Sequence, residues 1–189
     1  MALSAIDLSS KALLKIGANA ISSFDEDSAE AEVADNLYAT ERDALLSAHP
    51  WTFATGQVNL QKLVSAPVAD YDNAFQLPND FLRALSAGTD ERGRGVAFRL
   101  AERKLHTNAN SVILTYIFRP DESAFPPFFD QAMIARLATA FCLPITENTS
   151  RTEAMLRISE LEFTRGKLID SQQSAAPSFE DFSLIEVRK

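Results

Sequence analysis

The chain has 189 residues, 46% of them apolar, and a formal net charge of −8. That length and apolar content suffice for one ordinary core and exclude a disordered chain. The charge excludes a protein that holds nucleic acid through a generally basic surface, because phosphate binding depends on Lys and Arg displacing counterions.

The start, "MALSAIDLSSKALLKIGANA", mixes an acid and small residues among its apolar positions and lacks signal-peptide character. We find no 18-residue apolar run, so no membrane contact is expected and the chain is expected to be cytosolic when made. Ala5, Leu8, Ala12 and Ile16 recur at helical spacing, predicting a helix over about 4–17, with Gly17 as its stop. After "SSFDEDS" a second helix is expected over about 28–48. Asp27 and Glu30 have capping-box spacing, and Asp25 and Glu26 suit the helix dipole better than a metal loop. Ala34, Leu37, Tyr38, Leu45 and Ala48 form its apolar stripe, interrupted by Glu41.

Pro50 disfavours helical dihedrals at His49 and so ends this helix. Trp51, the only Trp, and Phe53 follow at the junction between helix and strand, which marks both as core anchors. Cutting such a Trp to Ala typically costs roughly 3–5 kcal/mol. A β-rich insertion is then expected over about 53–118. "QVNLQKLV" alternates, Pro78 separates two short apolar runs, and "VAFRLAERKLHTNANSVILTYIFRP" reads as three strands joined by turns. In the last strand Val112, Leu114, Tyr116 and Phe118 alternate with Ile113, Thr115 and Ile117, which predicts a central strand with helical cover.

"PPFFDQAMIARLATAFCLPITE" predicts the buried central helix, about 128–146, opened by prolines and apolar around most of its circumference. The next helix is expected over about 150–170. Ser150 and Glu153 have capping-box spacing, Met155, Ile158, Leu161 and Leu168 lie on one side, and Gly166 weakens the end. Residues 172–189 then read as an extended docking tail: a Ser, Gln, Ala and Pro linker followed by Phe179, Phe182, Leu184, Ile185 and Val187 with no partner element. Together these elements predict an α+β protein. About four helices form a bundle in a single domain (1–171), carrying a small antiparallel sheet or hairpin insertion.

Reactive constellations are scarce. Cys142 is alone and reads as a buried structural thiol, and His49 and His106 fall in different contexts, so neither a metal site nor a cofactor is expected. "ERGRGVA" lacks the pyrophosphate-cradling fingerprint, and no nucleophile elbow or zinc-protease helix occurs. Carboxylates in "DYDNAF" and "RPDESAF" could form a glycosidase-like pair, but turns account for them, and no enzymatic activity is expected. Arg92, Arg94, Arg99, Arg103 and Lys104 gather in one segment of an acidic chain, either as a solvated hairpin or as a contact for an acidic partner.

The order of features carries a resemblance. It comprises a first helix "ALSAIDLSSKALLKIG" closing on Ile16–Gly17, an Ala- and acid-rich second helix, and then the triplet Trp51–Thr52–Phe53. An "LP-x-D-[FY]-L" run follows at Leu77, Pro78, Asp80, Phe81 and Leu82, and the helix "FPPFFDQAMIARLATAF" comes last. Over about residues 3–165 this resembles the tail tubular protein A family, the head-to-tail adaptors of short-tailed phages. The chain departs from the family where "FRLAERKLH" stands in place of an aromatic "LYD"-like hairpin, and the tail from Ser171 onward does not match.

The resemblance implies a non-enzymatic virion protein of the neck, assembled in the host cytoplasm. It would form a ring, typically of twelve copies, beneath the portal protein and above the tail or nozzle protein, with DNA passing through the centre without specific binding. In that setting Phe179, Phe182, Leu184, Ile185 and Val187 would contact the portal or a neighbouring subunit, and the Arg92–Lys104 segment the tail protein. The alternatives are another phage neck or stopper protein, or a small regulatory nucleic-acid-binding protein.

Overall fold

The computed structural model describes residues 3–89 and 92–173. It has an α+β fold of four helices and two small antiparallel sheets.

Helix α1 (Ala5–Lys15) begins at Ser4, whose hydroxyl accepts from the Asp7 N–H while the Asp7 carboxylate accepts from the Ser4 N–H, a reciprocal cap. Gly17 takes φ +79° after it, as the stop requires. Helix α2 (Ala29–Ala48) is capped by Ser28, which accepts from the Ala31 N–H, and not by Asp27 as the spacing suggested. A hydroxyl one residue nearer the first turn reaches the orphan N–H groups directly. His49 is extended (φ −140°, ψ 145°), ending α2 at the residue before Pro50. Glu41, the interruption in the α2 stripe, pairs with Arg136 at 2.6 Å.

A 3-10 turn (Thr52–Ala54) leads into β1 (Thr55–Asn59). The remaining strands are β2 (Asn73–Gln76), β3 (Phe81–Gly88), β4 (Arg99–Ala101), β5 (Lys104–Thr107) and β6 (Ile113–Phe118). They form two three-stranded sheets, ordered β1-β6-β3 and β2-β5-β4, where the sequence suggested one. β6 is central, as its alternation predicted, but its cover is only half helical. Ile117 joins the helical core, whereas Val112, Leu114 and Tyr116 pack with Phe75 and Leu105 of the second sheet. The "LPND" run turns the chain into β3: the Phe81 N–H bonds the Pro78 carbonyl, Asp80 receives the Arg119 N–H and the Tyr116 hydroxyl, and Phe81 stacks on Tyr116.

Helix α3 (Pro127–Thr146) starts on Pro126 and Pro127 and buries Phe129, Met133, Leu137, Phe141 and Cys142 completely. By length and composition it could span a bilayer, contrary to the absence of such a run in our reading of the sequence. Half of it is buried by the protein itself, as befits a core helix. Helix α4 (Thr149–Ser171) packs on α3 and is capped by Asn148, which accepts from the Arg151 N–H, and not by Ser150, which lies inside the first turn. Arg151 also donates to the Ile16 carbonyl at 2.8 Å, tying α4 to the end of α1.

Candidate interaction surfaces

Trp51 is fully buried and sits in an aromatic cage. His49, Phe53, Phe128, Phe129 and Phe163 surround it at ring-centroid distances of 4.8–6.2 Å. Its indole N–H donates to the Leu45 carbonyl at 3.1 Å, one of the four terminal carbonyls that α2 cannot satisfy internally. Phe53 is partly buried beside it and meets Phe129 edge-on at 4.9 Å. Gly166 of α4 lies against the indole, and a Cβ there would stand 3.4 Å from the Trp51 ring. The glycine that weakens α4 as a helix therefore sits where the tryptophan leaves room for a small residue at the near limit of ordinary contact.

Beside this cage the Asp170 carboxylate, 1% exposed, accepts from the Thr52 N–H at 3.1 Å and from its hydroxyl at 2.6 Å. The His49 imidazole approaches it at 3.6 Å. Desolvation depresses the His49 pKa despite the opposing pull of Asp170. The Thr52 hydroxyl donates to the carboxylate, so the group fastens the end of α4 to the α2–β1 junction. We missed this role of Asp170 from sequence because its partner lies 118 residues away.

The inner face of α4 is thus Met155, Ser159, Phe163, Gly166 and Asp170. This corrects the expected face: only Met155 of the predicted stripe turns inward. Ile158, Leu161 and Leu168 point to solvent, with Leu161 50% and Leu168 62% exposed. At about 100° per residue, Ile158, Leu161, Leu168 and Ile169 share one outward face, with Arg165 among them and Arg157 on its flank. All six are exposed. On another side of α4, between it and α2, lies a cleft of about 190 Å³ lined by Ala44, Ala48, Arg136, Leu156 and Glu160 among others.

The basic segment does not form one patch. Arg92 and Arg94 lie outside the hairpin, on a loop whose Gly93 carbonyl accepts from Ser86 and Thr115 of the first sheet. Gly93 has no room for a side chain, since a Cβ would meet Gln57 and Thr115 at under 3 Å. Arg99 and Lys104 belong to the β4–β5 hairpin and are paired, with Asp70 and Glu102 respectively, both at 3.3 Å. Arg103 is at the hairpin tip, where it and Glu102 take positive φ (57° and 52°). The 61–72 connection beside this hairpin carries two fully exposed valines, Val64 and Val68. Phe179, Phe182, Leu184, Ile185 and Val187 lie outside the described residues.

Among the described residues no group of three or more His, Cys, Asp or Glu side chains is placed to hold a metal ion. Compared with known proteins, the chain matches no family model and no curated protein.

Proposed function

We propose that the chain is a structural, ring-forming adaptor between the head and tail of a phage particle, of the kind the tail tubular protein A resemblance implies. The observation that carries this reading is the outward face of α4. Large apolar side chains line one exposed face of a long helix whose other face is already packed, and such a patch in a protein marks a contact surface. A closed ring joins two different patches of each subunit, so the α4 face would meet a different surface of the next copy. The exposed valines Val64 and Val68 and the hairpin tip at Arg103 lie in the β-rich part and supply a second surface, which we assign to the tail or nozzle protein. The fully buried Trp51 cage supports a rigid helical body between the two.

The dispersal of the basic residues, of which Arg99 and Lys104 are bound up in ion pairs, counts against a nucleic-acid-binding regulator, because such proteins concentrate basic charge on one face. Electron microscopy of the purified protein, alone and mixed with portal complexes, tests the proposal. Rings of fixed copy number seated on the portal are expected; a protein that stays monomeric and unattached in both samples contradicts it.

A further inference from the structure

We propose that the cleft between α2 and α4 receives Leu14 of a second copy of this chain, so that α1 of one subunit docks on α4 of the next. That such contacts close into a ring on a portal rests on the adaptor reading; the contact itself does not.

The cleft has the size and lining for one aliphatic side chain. Ala44, Leu45 and Ala48 of α2 and Leu156 and Phe163 of α4 make it mostly apolar, and Arg136, which also reaches it, is neutralised by Glu41 at 2.6 Å. Its volume of about 190 Å³ falls short of the roughly 300–1,000 Å³ typical of sites that enclose a small molecule. Ala44 and Ala48 are exposed and Leu156 is 44% exposed, so the cleft opens to the outside.

Leu14 supplies the matching projection. On α1 the residues Leu8, Ala12 and Leu13 are buried, whereas Leu14 is 59% exposed. It does not line the cleft, so within one subunit the two do not meet. A projection on one surface and a recess on another make a heterologous contact, the type from which rings are built.

Charge selects the occupant. Leu14 has Lys11 one turn before it and Lys15 beside it, while Leu156 has Glu153 and Glu160 one turn to either side, and all four charged residues are exposed. None of the four makes an ion pair among the described residues. Arg157 lies within a turn of both glutamates and pairs with neither, and Asp7, one turn before Lys11, is held by the Ser4 N–H and hydroxyl. Lys167 lies over the Phe163 ring at 4.7 Å, two turns along α4 from Glu160. A second α4 would set glutamates against glutamates at the mouth of the cleft, whereas α1 sets lysines against them. Opposite charges of this kind steer the approach and fix the register of an apolar contact.

Disulfide trapping of the full-length protein tests the contact, alone and mixed with portal complexes. Oxidation of Leu14→Cys/Ala44→Cys should yield a ladder of covalent multimers, because each copy offers both halves of the junction; the native Cys142 is buried and takes no part. No ladder in either sample overturns the proposal, as does an equal ladder from a control pair, Ser22→Cys/Ala44→Cys. In the same background K11E/K15E, or E153K/E160K, should cut the ladder at least tenfold, and combining the two should restore it. That restoration separates a lost contact from a lost fold; a ladder indifferent to charge reversal, or not restored by the combination, contradicts the assignment. Wild-type rings on the portal without a Leu14–Ala44 ladder overturn this contact and leave the adaptor reading standing. A charge-dependent ladder without attachment to the portal supports the contact and counts against the adaptor.

Discussion

The two faces of α4 invert the usual relation between residue type and burial. The inner face buries Ser159, Gly166 and Asp170, while the outer face exposes Ile158, Leu161, Leu168 and Ile169. On an isolated amphipathic helix the apolar stripe seeks the core. Here the core side is chosen by two partners from the α2–β1 junction. Trp51 packs closely against the small residue Gly166, and the Thr52 N–H and hydroxyl are bound by the Asp170 carboxylate. The inner face mixes Met155 and Phe163 with Ser159, Gly166 and Asp170, its carboxylate is satisfied by this long-range pairing, and the apolar outer face is left for something outside the described fold.

The inner face is broken most severely at its aromatic centre. Trp51→Ala removes the indole from its cage and leaves the Leu45 carbonyl without its donor, and should lower the unfolding free energy by about 3–5 kcal/mol, read from the urea midpoint. Asp170→Ala should cost somewhat less, about 2–3 kcal/mol, since it deletes charge-assisted bonds to a buried N–H and hydroxyl. Thermal melts of both variants check this order, and an Asp170→Ala protein as stable as wild type would mean that the latch is dispensable.

A smaller and opposite effect sharpens the comparison with a polar group that the core does not satisfy. Asp130 on α3 is buried with one carboxylate oxygen lacking a partner, and desolvation raises its pKa. Its folded form therefore holds a proton more firmly than the unfolded chain. That contribution to stability is present below the ordinary value of 3.8 and is lost as pH rises through the raised value. Asp130→Asn should accordingly stabilise the protein at neutral pH by up to about 1 kcal/mol, with the gain vanishing toward pH 3. His49 runs the other way. Its depressed pKa contributes stability above the ordinary value of 6.5 that is lost as pH falls through the depressed value, so the wild type should begin to weaken below pH 6.5 while His49→Gln does not share that loss. Melting temperatures across pH 3–8 measure both.

Much of the architecture was legible in the sequence because it rests on local signals. Pro50 ends α2, the prolines at 126 and 127 open α3, and the alternation of 112–118 gives the central strand. The buried positions of α3 also follow from its composition. What the sequence hid depends on choices between neighbouring cap candidates and on contacts between distant residues. Ser28 and Asn148 compete with better-spaced candidates for the caps, and the division into two sheets is set by the pairing of β2 with β5. The facing of α4 is the largest such case: periodicity grouped Ile158, Leu161 and Leu168 but wrongly placed Met155 with them, and it could not say that Gly166 and Asp170 claim the opposite side. The basic run was visible as a cluster along the chain, yet the Gly93 loop and the hairpin carry its members to different places.

The central claim is that the apolar outer face of α4 serves association and not folding. Pairing Leu161→Glu with Leu168→Glu and comparing copy number on the portal by electron microscopy tests it most directly, with the melting temperature measured alongside. Surface changes of this kind should alter stability by no more than about 0.5 kcal/mol. The account predicts a folded variant that no longer forms or joins a ring; a variant that assembles as the wild type does would contradict it.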